Sequence, residues 1–127
     1  MTIQIYDNIR VNAAIAAFNW PANDYACVIP KLDYIFSAAH SNITIANPLR
    51  SQPSIITNRS VDAAGWLLSD PIIFASTPPN EDINQCLIYR LSDGLLAFRI
   101  SFATIRSTDG KPIIIRRGLS QPGLCRL

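Results

Sequence analysis

The sequence predicts a mainly β fold, an antiparallel β-sandwich or jelly-roll-like domain with one N-terminal α-helix. Many short apolar runs are separated by turn-forming residues, which is typical of such folds. Asp93-Gly94 and Asp109-Gly110 each separate two of these runs, as hairpin turns do. The 127 residues suit a single domain. We divide it into a helix over residues 5–18, a β-sandwich over 24–117 and a C-terminal arm over 118–127.

The helix is predicted from apolar residues at three- and four-residue spacing, beginning with Ile9 and Ala13. Asp7 or Asn8 can cap its start, and we expect it to end before Pro21. Its alanine-rich face would allow close packing against a sheet or against another subunit.

Strands are predicted in the apolar runs that follow the helix. These runs lie at residues 25–29, 55–57, 66–68 and 72–75. Residues 33–40 indicate an irregular segment or a short helical turn. Residues 41–54 are rich in Ser, Asn and Pro and indicate a surface loop, and residues 77–82 indicate a turn.

A three-strand meander over residues 85–117 is the most specific local prediction. A two-residue turn at Asp93-Gly94 needs positive φ at both positions and would fix the pairing of the first hairpin. It would place six residues on one core-facing side, in the pairs Leu91 with Leu96, Tyr89 with Phe98, and Leu87 with Ile100. The second hairpin, at Asp109-Gly110, does not continue this phase, so we expect a bulge or a longer loop near residues 103–105. Pro112 indicates that the third strand begins at a sheet edge.

The composition favours a protein that contacts other chains. Hydrophobic residues make up 49% and charged residues 16%, more apolar material than a small core obviously needs. No apolar run approaches the roughly 18 residues of a membrane span, and no signal peptide pattern begins the chain. The net charge is only +2, and the densest basic cluster, Arg116-Arg117, has no interleaved aromatic residues. We therefore expect neither a membrane nor a nucleic-acid partner.

Motifs for chemistry are absent from the sequence, and we expect no catalytic residue, cofactor or metal. His40 is the only histidine, and Cys27, Cys86 and Cys125 form no C-x-x-C pair. No G-x-S-x-G turn surrounds a serine, and the five glycines form no phosphate-binding loop. Cys27 and Cys86 lie in apolar runs and should be buried. Cys125 is the candidate for an exposed thiol or an intermolecular disulfide.

A family likeness covers residues 24–115. The sequence Tyr34-Ile35-Phe36-Ser37-Ala38-Ala39-His40 follows a strand and precedes a proline-bearing loop. Further blocks follow in order at residues 59–66, 72–75, 85–90 and 95–100. Together they resemble a family of small virion structural proteins of tailed bacteriophages, in which a strand leads into Y-x-F-S-A-A-H. The chain departs from that family at residues 19–23, where a glycine-rich turn is usual, and after Arg117.

The resemblance implies a capsid decoration (cement) protein that stabilises the assembled shell through protein–protein contacts. It would be located in the virion, assembled in the host cytoplasm. Its partners would be the major capsid protein or neighbouring virion proteins, and it would form a homo-oligomer. One alternative is a neck or tail adaptor or fibre-attachment protein. Another is a carbohydrate-binding sandwich module, with Trp20 and Trp66 as stacking platforms.

Candidate interface residues lie at the predicted edge strand, in the C-terminal arm and at one tryptophan. They are Trp20, Pro112, Ile113, Ile115, Arg116, Arg117, Leu124 and Leu127. We expect the arm to be ordered only against a neighbouring chain, since it lacks apolar periodicity and contains Gly118, Pro122 and Gly123.

Overall fold

The computed structural model describes residues 2–14, 18–74, 82–107, 112–116 and 123–126. The helical elements are α1 (Asp7–Ala14) and one 3₁₀ turn (Ile43–Ala46). The strands are β1 (Thr2–Ile5), β2 (Tyr25–Val28), β3 (Ser54–Ile55), β4 (Ser60–Val61), β5 (Trp66–Leu68), β6 (Ile72–Phe74), β7 (Asp82–Arg90), β8 (Leu96–Ser107), β9 (Ile113–Ile115) and β10 (Cys125–Arg126). The predicted class is confirmed: the chain is mainly β, with antiparallel sheets and a short N-terminal helix, consistent with a β-sandwich. No helix of the described residues is long and apolar enough to cross a bilayer.

The strands form one large sheet and two small ones. The five-stranded sheet has the order β1-β8-β7-β2-β3, and the small sheets have the orders β10-β5-β4 and β6-β9. The predicted three-strand meander is therefore wrong, because β9 pairs with β6 and not with β8. Strand β8 has β7 on one edge, and on the other edge β1 pairs with its residues 98–101.

The five-stranded sheet is apolar on both faces. On one face Cys27, Ile88 and Phe98 pack against residues of the small sheets, among them Ile72 and Ile115. The other face is covered by residues 31–50, which we call the covering segment. The residues of this second cluster are Ala26, Val28, Leu87, Tyr89 and Leu96 from the sheet, Tyr34, Phe36, Ile43, Ala46 and Leu49 from the covering segment, and Tyr6 before the helix. The fold thus has three layers around two apolar clusters.

The hairpin between β7 and β8 forms at the predicted place but in another register. Its loop has four residues, because the Gly94 N–H donates to the Arg90 carbonyl (2.8 Å) and the Arg90 N–H donates to the Leu95 carbonyl (2.9 Å). Gly94 takes the left-handed φ of +75° that glycine favours. The predicted pairing of Tyr89 with Phe98 is wrong, since Tyr89 pairs with Leu96.

Two irregularities interrupt the pairing of β7 with β8. Ile88 pairs with Phe98 and Tyr89 with Leu96, so Ala97 is an extra residue of β8 without a partner in β7. The residues on either side of it, Leu96 and Phe98, therefore point to opposite faces of the sheet. As a result Leu96 packs under the covering segment, while Phe98 faces the other cluster. The second irregularity lies between the pair of Gln85 with Ser101 and the pair of Ile83 with Arg106. It falls at the residues where the bulge is predicted, but it interrupts the pairing with β7 and not a pairing with β9.

The N-terminal helix is shorter than predicted. Residues 2–5 form β1, which pairs with β8, and α1 begins at Asp7. The alternation of Thr2 and Gln4 with Ile3 and Ile5 is the two-residue period of a strand. Residues 15–17, within the predicted helix, lie outside the described residues.

Trp20 belongs to the core. Its indole N–H donates to the Leu68 carbonyl (3.0 Å), and its ring centroid lies 4.9 Å from that of Tyr25. Arg59 donates to the Trp20 carbonyl (3.0 Å) and forms an ion pair with Asp24 (3.0 Å). Trp20 therefore joins the first small sheet to the start of β2.

The end of the C-terminal arm packs on its own chain, which corrects the prediction that it needs a neighbour. The Leu124 N–H donates to the Leu67 carbonyl (2.8 Å), and β10 pairs with β5. A Cβ at Gly123 would lie 2.6 Å from the Leu67 carbonyl oxygen, so this close approach requires glycine. Residues 117–122 and Leu127 lie outside the described residues.

We predict that the ion pair in the hairpin loop makes a small, pH-dependent contribution to stability. Hydrogen bonds from Arg90 to both carboxylate oxygens of Asp93 (2.6 and 3.0 Å) lower the pKa of Asp93. A carboxyl whose pKa is lower in the folded state stabilises the fold above its unfolded pKa, about 4, and loses this contribution as the pH falls. Asp93→Asn should therefore reduce the free energy of unfolding by less than about 1 kcal/mol at pH 7, since the carboxylate is half exposed.

Urea unfolding near pH 7 and again near pH 2.5 tests this prediction. The difference between the variant and the parent should vanish at the lower pH. Asp33→Asn is the control, because Asp33 is exposed and has no ion-pair partner among the described residues. An equal loss at both pH values would contradict the prediction.

Candidate interaction surface

A buried polar network fastens the covering segment to the five-stranded sheet. The Tyr34 hydroxyl lies 2.5 Å from the Tyr6 hydroxyl and 3.0 Å from His40 Nδ1. The Gln85 side-chain amide donates to the Tyr34 carbonyl (2.9 Å). Arg99 donates in turn to Gln85 Oε1 (2.7 Å). The network thus links the covering segment to the start of α1, to β7 and to β8.

Arg99 is the charged member of this network. It also donates to the Gln4 side chain on β1, and its guanidinium carbon lies 5.8 Å from the centre of the Phe36 ring. Arg99 therefore contacts two strands and the covering segment at once. Its hydrogen-bond acceptors in the described residues are neutral amides, and the Phe36 ring lies over the cation.

The electrostatics of the network suit hydrogen bonding. Burial raises the pKa of Tyr6 strongly and also raises the pKa of Tyr34. Both phenols therefore remain protonated at neutral pH, and Tyr6 and Tyr34 act as hydrogen-bonding groups that hold the segment in place.

His40 lies where the network reaches the surface. A shallow depression of about 390 Å³ is lined there by Ala39, His40, Ser41, Asn42, Thr44 and Ile45. Most of its polar groups already have partners within the chain. The Asn42 amide donates to the Asp93 carbonyl (2.9 Å) and its oxygen accepts from the Thr44 N–H (3.1 Å), which ties this loop to the β7–β8 hairpin.

The cysteines are buried free thiols in the structure. Burial raises the pKa of Cys27 well above its ordinary value and that of Cys125 to about 12, so both remain protonated. Cys125, the candidate for an exposed thiol, is instead buried, because it packs against the first cluster from β10. Among the described residues no three His, Cys, Asp or Glu side chains are close enough together to hold a metal ion.

The outer layer of the sandwich carries an exposed apolar pair. Ile73 of β6 and Ile114 of β9 are direct cross-strand partners, and they are 51% and 41% exposed. Their neighbours Ile72 and Ile115 point the other way into the first cluster. A two-residue period on two paired strands thus leaves one isoleucine of each strand facing out.

A second group of exposed apolar residues lies on the covering segment. Leu32 is 72% exposed and Ile35 is 81% exposed, whereas Tyr34 between them is buried. Leu32 and Ile35 lie on the layer that covers one face of the five-stranded sheet. Ile73 and Ile114 lie on the layer that covers the opposite face.

The predicted interface residues divide into three groups. Trp20, Ile115 and Leu124 are only 1%, 4% and 5% exposed. Each fills the first cluster of its own chain and so offers little surface to a partner. Pro112 and Arg116 are exposed and Ile113 is half-buried, so these remain accessible at the two ends of β9. Arg117 and Leu127 lie outside the described residues.

The tryptophans are poorly placed to stack on a sugar. Trp20 is buried, and the half-buried Trp66 has the Arg126 guanidinium carbon 5.8 Å from its ring centre. The carbohydrate-binding alternative therefore loses one of its two stacking platforms, and the other carries a cation–π contact within the chain.

Sequence reasoning missed Ile73 and Ile114. The predicted interface set contains Ile113 and Ile115, which is the opposite phase of the same strand. In an uninterrupted apolar run such as Ile113–Ile115, composition does not show which residues face the core. The pairing of β9 with β6 decides it, and that pairing is distant in sequence.

Comparisons with known proteins do not assign the chain to a group. No family model matches it, and neither a curated protein nor a solved structure matches it. The surface is therefore interpreted from the chain's own residues.

We predict that Tyr34→Phe destabilises the protein. It removes the hydroxyl that joins Tyr6 to His40 and leaves the buried Tyr6 hydroxyl without this partner, which should reduce the free energy of unfolding by about 1–3 kcal/mol. Tyr25→Phe is the matched control, because the buried Tyr25 hydroxyl makes no hydrogen bond of normal geometry within the described residues. Urea unfolding measures both variants, and equal losses would show that the network does not stabilise the fold.

Proposed function

We propose that this chain is a structural protein of a tailed-bacteriophage virion, a decoration protein that binds the assembled shell and other chains on it. The observation that carries the proposal is the exposed pair Ile73 and Ile114 on the outer layer of the sandwich. Two neighbouring isoleucines on a short two-stranded sheet offer a flat apolar contact to another protein. Arg116 lies exposed just beyond β9 and adds a polar rim to this contact.

The energy available from such a contact fits repeated, individually weak binding. Complete burial of an isoleucine side chain contributes about 1.5–3 kcal/mol relative to full exposure, and these two are already about half buried in the chain. A single copy would bind weakly after the cost of association. Many copies on a symmetric shell, each bridging neighbouring subunits, would raise the force needed to separate them.

The virion as the location is supported by the resemblance described above. The motif that carries it, Tyr34 to His40, has a definite packing role in this chain. Tyr34 and His40 are joined by a hydrogen bond, Phe36 packs on Arg99, and the Ala38 carbonyl accepts from the Asp7 N–H (2.8 Å). In this chain the motif fastens the covering segment to the sheet and to the start of α1.

Binding to particles tests the proposed contact. We expect purified protein to bind expanded shells that lack it, and Ile73→Thr combined with Ile114→Thr to weaken this binding about tenfold or more. Threonine keeps the β-branched shape and strand preference, so the fold should be retained. Co-sedimentation with shells at increasing protein concentration measures the affinity.

The matched control for this experiment is Ile35→Thr, the same substitution at the more exposed position on the covering segment. It should leave shell binding unchanged. Wild-type protein that fails to bind shells would refute the proposal. Weakening by Ile35→Thr instead of by the pair would move the contact to the covering segment.

The copy number in purified particles separates the shell from the alternative location. Hundreds of copies per particle would agree with a shell protein, because icosahedral lattices repeat each site many times. About a dozen copies or fewer would agree instead with a ring in the neck or tail. Quantitative mass spectrometry against the major capsid protein provides the count.

A further inference from the structure

Strand β9 is an edge strand of its small sheet among the described residues. It pairs with β6 on one side, and on its other side no described residue is paired with it. Edge strands of soluble proteins are usually blunted by short length, charged side chains, proline, a bulge or a covering element. Strand β9 is short, but no charge, proline or bulge lies within it. The three residues of β9 are all isoleucine, and proline and arginine stand only at its ends, as Pro112 and Arg116.

The second strand of this small sheet has no comparable edge. The Ser54 hydroxyl of β3 donates to the Ile73 carbonyl (2.6 Å), so the outer side of β6 already lies against the end of the five-stranded sheet. Among the described residues, β9 is therefore the more accessible edge for extension of the small sheet.

The sequence of β9 is self-complementary in an antiparallel arrangement. If two copies meet about a two-fold axis at Ile114, then Ile114 faces Ile114 of the second copy, and Ile113 faces Ile115. Pro112, which lacks an N–H, faces Arg116 at each end. The two Arg116 residues then stand four positions apart along the strands, about 14 Å, which is beyond the screening length at physiological salt.

We infer that β9 pairs with β9 of a second copy of this chain, forming a symmetric four-stranded sheet with the order β6-β9-β9-β6. This inference rests on the proposed function and names one of its partners. The two Ile73–Ile114 pairs become one row of four isoleucines on the outer face. The contact surface proposed for the shell is then twice as wide in the dimer as in one chain. With three residue pairs, the contact is small and its dissociation constant should be on the order of 0.1–1 mM.

Charge exchange at the two-fold axis tests the register. In the proposed pair residue 114 stands directly opposite itself, where like charges are destabilising and opposite charges attract. Ile114→Lys alone and Ile114→Glu alone should each stay at the 14.0 kDa of one chain. An equimolar mixture of the two should regain the concentration-dependent rise in mass toward twice that value, measured by sedimentation equilibrium up to about 1 mM.

The matched control is the same exchange at Ile73. Its side chain lies on the same face, but its two copies would be three strand spacings apart, about 14 Å. Dimer formation should therefore not be lost in Ile73→Lys and Ile73→Glu alone and regained in their mixture. Wild-type protein that stays at the mass of one chain up to 1 mM, or a mixture of the Ile114 variants that does not recover, would overturn the inference.

Cross-linking gives an independent readout that also captures a weak dimer. Ile114→Cys should form a covalent dimer with a thiol oxidant such as diamide, because directly opposed residues lie within disulfide reach. Ile73→Cys should not, and the three native cysteines are buried. Absence of the Ile114→Cys cross-link both in solution and on shells would also overturn the inference.

The shell-binding experiment separates this inference from the proposed function. Shell binding with no dimer in any of these assays would refute only the pairing through β9. A dimer that forms in solution and does not bind shells would refute only the virion role.

Discussion

The five-stranded sheet is apolar on both faces, and this constraint determines the rest of the structure. Because the apolar side chains on each face of the sheet must be shielded from water, the sheet needs two covering layers. A chain of 127 residues must supply both layers. The small sheets cover one face with the side chains of Leu67, Ile72 and Ile115. Residues 31–50 cover the other face with almost no regular secondary structure.

A covering layer without a strand ladder must be attached by other hydrogen bonds. The backbone supplies some of them, since Leu96 and Gly94 of the hairpin bond to Ser41 and Ile43. Side chains supply others, among them those of Tyr34, Gln85 and Asn42. This explains why polar groups are buried beneath an apolar segment: each satisfies another, so that the desolvation of each group is compensated.

The local features of this fold could be predicted from the sequence, and the long-range pairings could not. Asp93-Gly94 marks a real hairpin, but the loop uses only Gly94 at positive φ, and the bulge at Ala97 changes the register beyond it. Asp109-Gly110 suggested a further hairpin, and nothing local shows that the strand paired with residues 98–101 of β8 is β1, nearly a hundred residues away. The same distance in sequence hides the pairing of β9 with β6 and hence the outward direction of Ile114.

The two apolar clusters also change what the composition means. A hydrophobic fraction of 49% suggested a large contact with other chains, yet a sheet buried on both faces uses more apolar side chains than a sheet with one solvated face. Trp20 and Leu124 are among the apolar residues that are buried in this core. The argument for a partner therefore rests on where the exposed apolar residues lie, and not on how many apolar residues the chain has. Ile73 and Ile114 lie side by side on the small sheet formed by β6 and β9. A solvated strand face would tolerate threonine there at little cost to folding.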